Sequence, residues 1–184
     1  MALSIDRRSA LFAGLAAAWV IPTVGTAQDA VLSWTPKGLS QDEARILVAA
    51  CERIIPPTST PGAAAAGVPQ FIDRAVATWS SREDAQRLKS GLASLDQAAR
   101  AKFGTGFARL APGQQDALLN EAQIEAGKAR ERREPHYFPL LRELATVGYF
   151  QSEAGSTQAL RYDPVPGEYR SCVPLKEIGR AWAL

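Results

Sequence analysis

Through most of this chain apolar residues recur every three or four positions, and nowhere do they settle into a convincing alternation with polar ones. That spacing lines one face of an α-helix rather than one face of a strand. Ala44, Leu47, Cys51 and Ile54 carry the pattern first, behind Ser40 and Glu43, whose separation is that of a capping box. A helix over about 41 to 55 is therefore predicted, stopped by Pro56-Pro57 and followed by the loop TSTPGAAAAG, where Pro61-Gly62 favours a turn. Val68 and Pro69 restart the chain, and Phe71, Ile72, Ala75, Val76 and Trp79 make one apolar face. Ser81 caps a third helix carrying Ala85, Leu88, Leu92, Leu95 and Ala99, which Phe103-Gly104-Thr105-Gly106-Phe107 ends. Leu110, Leu118, Leu119 and Ala122 belong to a fourth helix starting near Pro112, with polar residues 123–133 as its solvated end. Pro135 opens a fifth, which carries Phe138, Leu141, Leu144, Ala145 and Gly148 and ends near Ser152 to Ala154. The expected fold is all-α: one bundle of about five helices over residues 40–184, with a linker at 28–39 and no internal repeat.

The periodicity fails in residues 148–175, GYFQSEAGSTQALRYDPVPGEYRSCVPL. Pro164 and Pro166 bias the residues before them away from helical angles, so an extended, proline-rich C-terminal tail is expected over 149–184. Leu160, Tyr162, Val165, Tyr169 and Val173 are anchors on a segment too irregular to build its own core. Such a tail must dock, either on the domain's own helices or on a partner. The candidate docking residues are Tyr149, Phe150, Glu153, Tyr162, Tyr169 and Cys172.

Composition changes the picture only slightly. The 184 residues, 46% of them hydrophobic, suffice for one well-buried domain. Lys and Arg number 21 against 19 Asp and Glu, a formal charge of +2, which excludes the strong positive field of a nucleic-acid binder. The N-terminus reads as an export signal. Arg7 and Arg8 precede an apolar run from Ala10 to Val20, and Gly25-Thr26-Ala27 supplies small residues for cleavage after Ala27. Paired arginines before a run rich in Ala and Gly resemble a twin-arginine signal, an address read on proteins exported already folded; an ordinary secretory signal is usually richer in leucine and needs no arginine pair. Residues 1–27 are thus assigned to a signal peptide and the protein to the periplasm. The apolar run is shorter than the roughly 20 residues that span a bilayer.

Candidate chemistry is sparse. The single histidine, His136, stands alone beside Pro135 at a helix start, where capping or surface exposure is expected. Gly104-Thr105-Gly106 has Arg109 where a dinucleotide fingerprint needs its third glycine and no strand before it. Gly127-Lys128 is followed by Ala129 and lacks the upstream glycine loop of a phosphate cradle. Two cysteines without a haem-attachment motif or a clustered ligand set do not hold a haem, an iron–sulfur cluster or a structural zinc. Asp42-Glu43 and Glu83-Asp84 belong to first helical turns, where carboxylates favour the positive end of the helix dipole. Neither a catalytic residue nor a cofactor or metal ligand is expected in this chain. Cys51 on the first helix and Cys172 in the tail leave three alternatives open in an oxidising compartment: separate thiols, a Cys51 to Cys172 bridge, or a bond from Cys172 to a partner's cysteine.

Two separated stretches carry a family resemblance. The first runs from Ile54-Ile55-Pro56-Pro57 through Thr60-Pro61-Gly62 and Ala65-Ala66-Gly67-Val68 to Phe71-Ile72-Asp73. The second has the order Gly148-Tyr149-Phe150, Ser152-Glu153, Gly155, then Leu160 and Tyr162, then Pro166-Gly167, Tyr169 and Cys172-Val173-Pro174-Leu175. In this order they resemble the gluconate 2-dehydrogenase subunit 3 family, small exported accessory subunits of flavin-dependent dehydrogenases. The resemblance implies a large partner flavoprotein of the glucose-methanol-choline type that holds FAD, often joined by a membrane-bound multihaem cytochrome c that passes electrons toward quinone. It also implies a non-catalytic role in folding, stability and co-export of that flavoprotein, whose substrate would be a sugar, sugar acid or alcohol. The competing expectation is a free-standing exported helical binding protein with another partner.

Overall fold

The computed structural model describes residues 32–165, 167–168 and 172–183. Five helices build the body: α1 (Gln41–Ile54), α2 (Val68–Thr78), α3 (Arg82–Phe103), α4 (Pro112–Glu131) and α5 (Tyr137–Phe150). A 3-10 turn (Phe107–Arg109) links α3 to α4, and a π-helical turn (Gly155–Ala159) and a short α6 (Leu175–Ile178) follow α5. Among the described residues there is no strand, only an isolated parallel bridge between Arg161 and Trp182. The all-α bundle of about five helices is the one its periodicity predicts.

Local chemistry sets the helix boundaries. At α1, Ser40 Oγ accepts from the Glu43 N–H at 3.3 Å while Glu43 accepts from the Ser40 N–H at 2.7 Å, which satisfies two donors that a helix start leaves free. Ser81 Oγ accepts from the Asp84 N–H at 3.0 Å to start α3, and Gly104, at φ 75°, ends it in the left-handed conformation that glycine adopts without strain. Against expectation α5 begins at Tyr137 rather than at Pro135 and stops at Phe150, before Ser152. His136 takes the cap position, its Nδ1 accepting from the Phe138 N–H at 3.2 Å.

The interior joins all five helices. Leu47 and Cys51 of α1, Ile72 of α2, Leu88 and Leu92 of α3 and Leu141 of α5 are fully enclosed, together with Phe107 from the α3 to α4 turn. Phe107 is held by its own backbone: its N–H donates to Asp96 at 2.8 Å and its carbonyl accepts from Gln115 Nε2 at 3.1 Å. A ring buried this way contributes about 2 to 3 kcal/mol of transfer free energy. Trp79, expected on the apolar face of α2, follows that helix as its C-cap and is 59% exposed. In the stretch of α4 expected to be solvated, Ala126 and Ala129 turn inward, because side chains this small let a neighbouring helix approach an otherwise charged segment. Between α1 and α4, Arg53 Nε and Nη2 grip both oxygens of Asp116 at 2.7 and 2.8 Å. That fork holds the Asp116 carboxyl below its ordinary range, but with the carboxylate 41% exposed the pair contributes no more than about 1 kcal/mol. Among the described residues no helix is long and apolar enough to cross a membrane.

Candidate partner interface

The two stretches that carry the family resemblance, some ninety positions apart, are packed against each other. Tyr149 of α5 is only 3% exposed, and its hydroxyl donates toward the Pro61 carbonyl at 2.9 Å and lies 3.0 Å from Thr60 Oγ1. One helical step earlier, Gly148 lies under the ring of Phe71: a Cβ there would stand 2.7 Å from Phe71 Cδ1, so only glycine admits this approach of α2 to α5. Gly155 is tighter still, its place for a Cβ lying 1.9 Å from the Tyr149 carbonyl oxygen as the chain folds back over the end of α5. Ser152 pins that fold, donating to the Tyr149 carbonyl at 2.6 Å and accepting from the Gly155 N–H at 3.1 Å.

The first stretch and the residues beside it are held the same way. Glu52 of α1 accepts from the Ala64 N–H at 2.8 Å and holds the loop after the two prolines. Gly67, at φ 77°, turns the chain into α2. Asp73, 3% exposed, accepts from the backbone N–H groups of Lys37, Gly38 and Leu39, each at 2.9 Å. The three donors replace the hydrogen bonds to water that burial takes from this side chain. It straps the segment before α1 onto α2.

The docking candidates divide into two classes. Tyr149 is core, which corrects the expectation that it faces a partner: its ring is enclosed and its hydroxyl is engaged within the chain. Phe150 is 40% exposed, with its ring set edge-on to Tyr149 at 5.4 Å, and Glu153 is exposed. In the tail Tyr162 is 57% and Val165 80% exposed. The domain's own helices therefore do not supply the surface these two side chains were expected to need. Tyr169, and the export-signal residues Arg7, Arg8 and Ala27, lie outside the described residues. The tail is also less extended than predicted, since it contains the π-helical turn and α6 and closes on itself through the Arg161 to Trp182 bridge. Sequence reasoning missed that contact because it pairs positions twenty-one apart across a segment with no periodicity to set its path.

Cys51 and Cys172 are free thiols, so the bridge left open by the sequence is not formed here. Cys51 is sealed on the core face of α1, and burial, reinforced by neighbouring Glu52, pushes its thiol far above the ordinary range. Cys172 is exposed at φ 56°. A disulfide-exchange reagent is accordingly expected to titrate one thiol in the native protein and two in denaturant, and reaction of both natively would contradict this placement of Cys51.

No group of three or more histidine, cysteine or acidic side chains among the described residues is placed to hold a metal ion. His136 is committed to its cap, and burial lowers its pKa, so its neutral, accepting form is favoured. A cavity of about 180 Å³ lies between Trp34, Val48, Ala64, Pro69 and Gln70. It falls below the roughly 300 Å³ at which sites for drug-sized ligands begin.

No curated protein and no solved structure matches this chain. The sequence pattern described as Gluconate 2-dehydrogenase subunit 3 matches residues 41–167, from the first residue of α1 to the exposed tail. Because that span covers more than half of the chain and holds all five body helices, the first stretch and most of the second, the chain belongs to the gluconate 2-dehydrogenase subunit 3 family.

Proposed function

We propose that this chain is the non-catalytic small subunit of an exported, FAD-dependent dehydrogenase complex, and that it accompanies the catalytic flavoprotein through the twin-arginine route and stabilises it afterwards. The flavoprotein, of the glucose-methanol-choline type, holds the FAD; a membrane-bound multihaem cytochrome c is the natural electron acceptor of such a complex. The observation that carries this reading is the contrast between signature positions spent on internal packing, such as Asp73 and Tyr149, and a tail whose Tyr162 and Val165 are left in solvent. Exposed aromatic and aliphatic anchors of this kind are what an interface buries. Phe150 and Glu153, where the tail leaves the bundle, extend the same docking region.

The test combines export with recovery of the partner. Replacing Arg7 and Arg8 with lysine is expected to retain both this chain and the flavoprotein in the cytoplasm, whereas the unaltered chain brings the flavoprotein with it from the periplasm. A flavoprotein that reaches the periplasm without this chain removes the escort role. Recovery of the chain with no flavoprotein at all removes the complex and favours a free-standing binding protein.

A further inference from the structure

Arg161 and Trp182 meet through several independent contacts. The Arg161 N–H donates to the Ala181 carbonyl at 2.8 Å, and the Ala183 N–H donates to the Arg161 carbonyl at 2.8 Å. The Arg161 guanidinium lies over the Trp182 ring, 4.3 Å from its centroid, and reaches the Ile178 carbonyl through Nη1 at 3.4 Å. A second arginine crosses the same junction, Arg180 Nη1 donating to the Gln158 carbonyl. Tyr162 and Val165 stay outside these contacts, 57% and 80% exposed, and Trp182 keeps 42% of its surface in solvent beside the guanidinium. A junction that orders a segment without burying its apolar groups does little for the stability of the bundle, so its effect falls on whatever those groups meet.

We propose that Arg161 and Trp182 form a clasp that presets the tail for docking, so that Tyr162 and Val165 are presented together to an apolar recess of the catalytic flavoprotein. This rests on the tail-docking reading above and adds the positioning residues to it. Closing a chain over some twenty residues costs entropy that grows with the logarithm of the length. A clasp already formed in the free subunit removes that cost from the binding step, which is how preorganisation raises affinity. A planar guanidinium suits the task because it donates to carbonyls at its edge while its face stays on the indole.

The test uses the full chain and the flavoprotein that purifies with it. Arg161→Ala and Trp182→Ala are each expected to leave the thermal midpoint of the bundle unchanged, to speed hydrogen exchange at the Ala183 amide, and to weaken flavoprotein binding by about tenfold. Arg161→Lys keeps a cation over the ring and is expected to restore affinity to within about threefold of the unaltered chain. Faster exchange at Ala183 with unchanged affinity would overturn the positioning role. An Ala183 amide already unprotected in the free chain would overturn the clasp itself. A chain ending at Gly155 separates the two levels: if it loses binding while the clasp variants keep theirs, only the clasp fails, and if it binds normally, docking through the tail fails as well.

Discussion

Tyr149→Ala is expected to destabilise the domain by about 4 kcal/mol, the usual range for removing a fully packed aromatic ring. The ring is 3% exposed and its hydroxyl engages the loop after α1 at Pro61 and Thr60. Its loss opens a cavity between α5 and that loop and leaves the Pro61 carbonyl without its donor. Tyr149→Phe removes the hydroxyl alone and is expected to cost about 1 to 2 kcal/mol. Urea unfolding of the two variants measures the difference directly. A Tyr149→Ala protein that unfolds at the same urea concentration as the unaltered chain, but no longer binds the flavoprotein, would place this tyrosine at the interface and reverse its assignment to the core. For a domain whose total stability is on the order of 5 to 15 kcal/mol, the alanine variant stands near the limit of folding.

The second large effect is at Asp73. Its two oxygens accept three backbone N–H groups from residues 37–39, and hydrogen bonds to a charged acceptor are each worth about 1.5 kcal/mol or more. Asp73→Ala strands all three donors, two of them partly buried and that of Leu39 buried, and is expected to cost about 4 kcal/mol. Asp73→Asn keeps one oxygen but turns an amide NH₂ toward a donor, so an intermediate loss of about 2 kcal/mol is expected. Hydrogen exchange at Gly38 and Leu39 locates the damage. If those amides keep their protection in Asp73→Ala, the strap is held by something other than the carboxylate. Since Asp73 belongs to the first family stretch, the two variants also ask whether that stretch serves the fold or the partner. A stability loss with unaltered flavoprotein affinity assigns it to the fold.

Both experiments bear on a pattern visible in the residues themselves. Short signatures suggest chemistry, yet here Gly67 turns the backbone into a helix, Gly148 and Gly155 admit close approaches, and Tyr149 and Asp73 satisfy backbone groups. In this chain those positions serve the fold. On the docking reading proposed above, recognition of a partner falls on exposed side chains, among them Phe150 and Tyr162 of the second stretch and neighbouring Val165.

The helices are legible in the residues alone. A 3.6-residue period, the capping box at Ser40 and Glu43, the cap at Ser81 and the glycine at 104 are local features, and local hydrogen bonds and one-sided burial act on them in any all-α context. His136 is legible in part: its position beside a helix start predicts capping or surface exposure, and the structure gives it the cap. Contacts between distant positions are not legible in this way. Phe107 reads as part of a turn and is a central core residue, Trp79 reads as core and is exposed, and Tyr149 reads as a docking residue and is enclosed. Periodicity says which residues share a face but not which faces meet, and each of these three stands at a helix end, where a rotation of one residue exchanges interior for solvent. The Arg161 to Trp182 clasp is hidden for a related reason: a closure over a long irregular segment is decided by the tertiary path of the backbone, which no repeat or motif encodes. By itself the sequence determined five helices, their caps and a tail unable to bury its own anchors. Only the tertiary structure decided that the family stretches lock α1, α2 and α5 together and that Tyr162 and Val165 remain outside, because burial is a property of packed surfaces rather than of any residue taken alone.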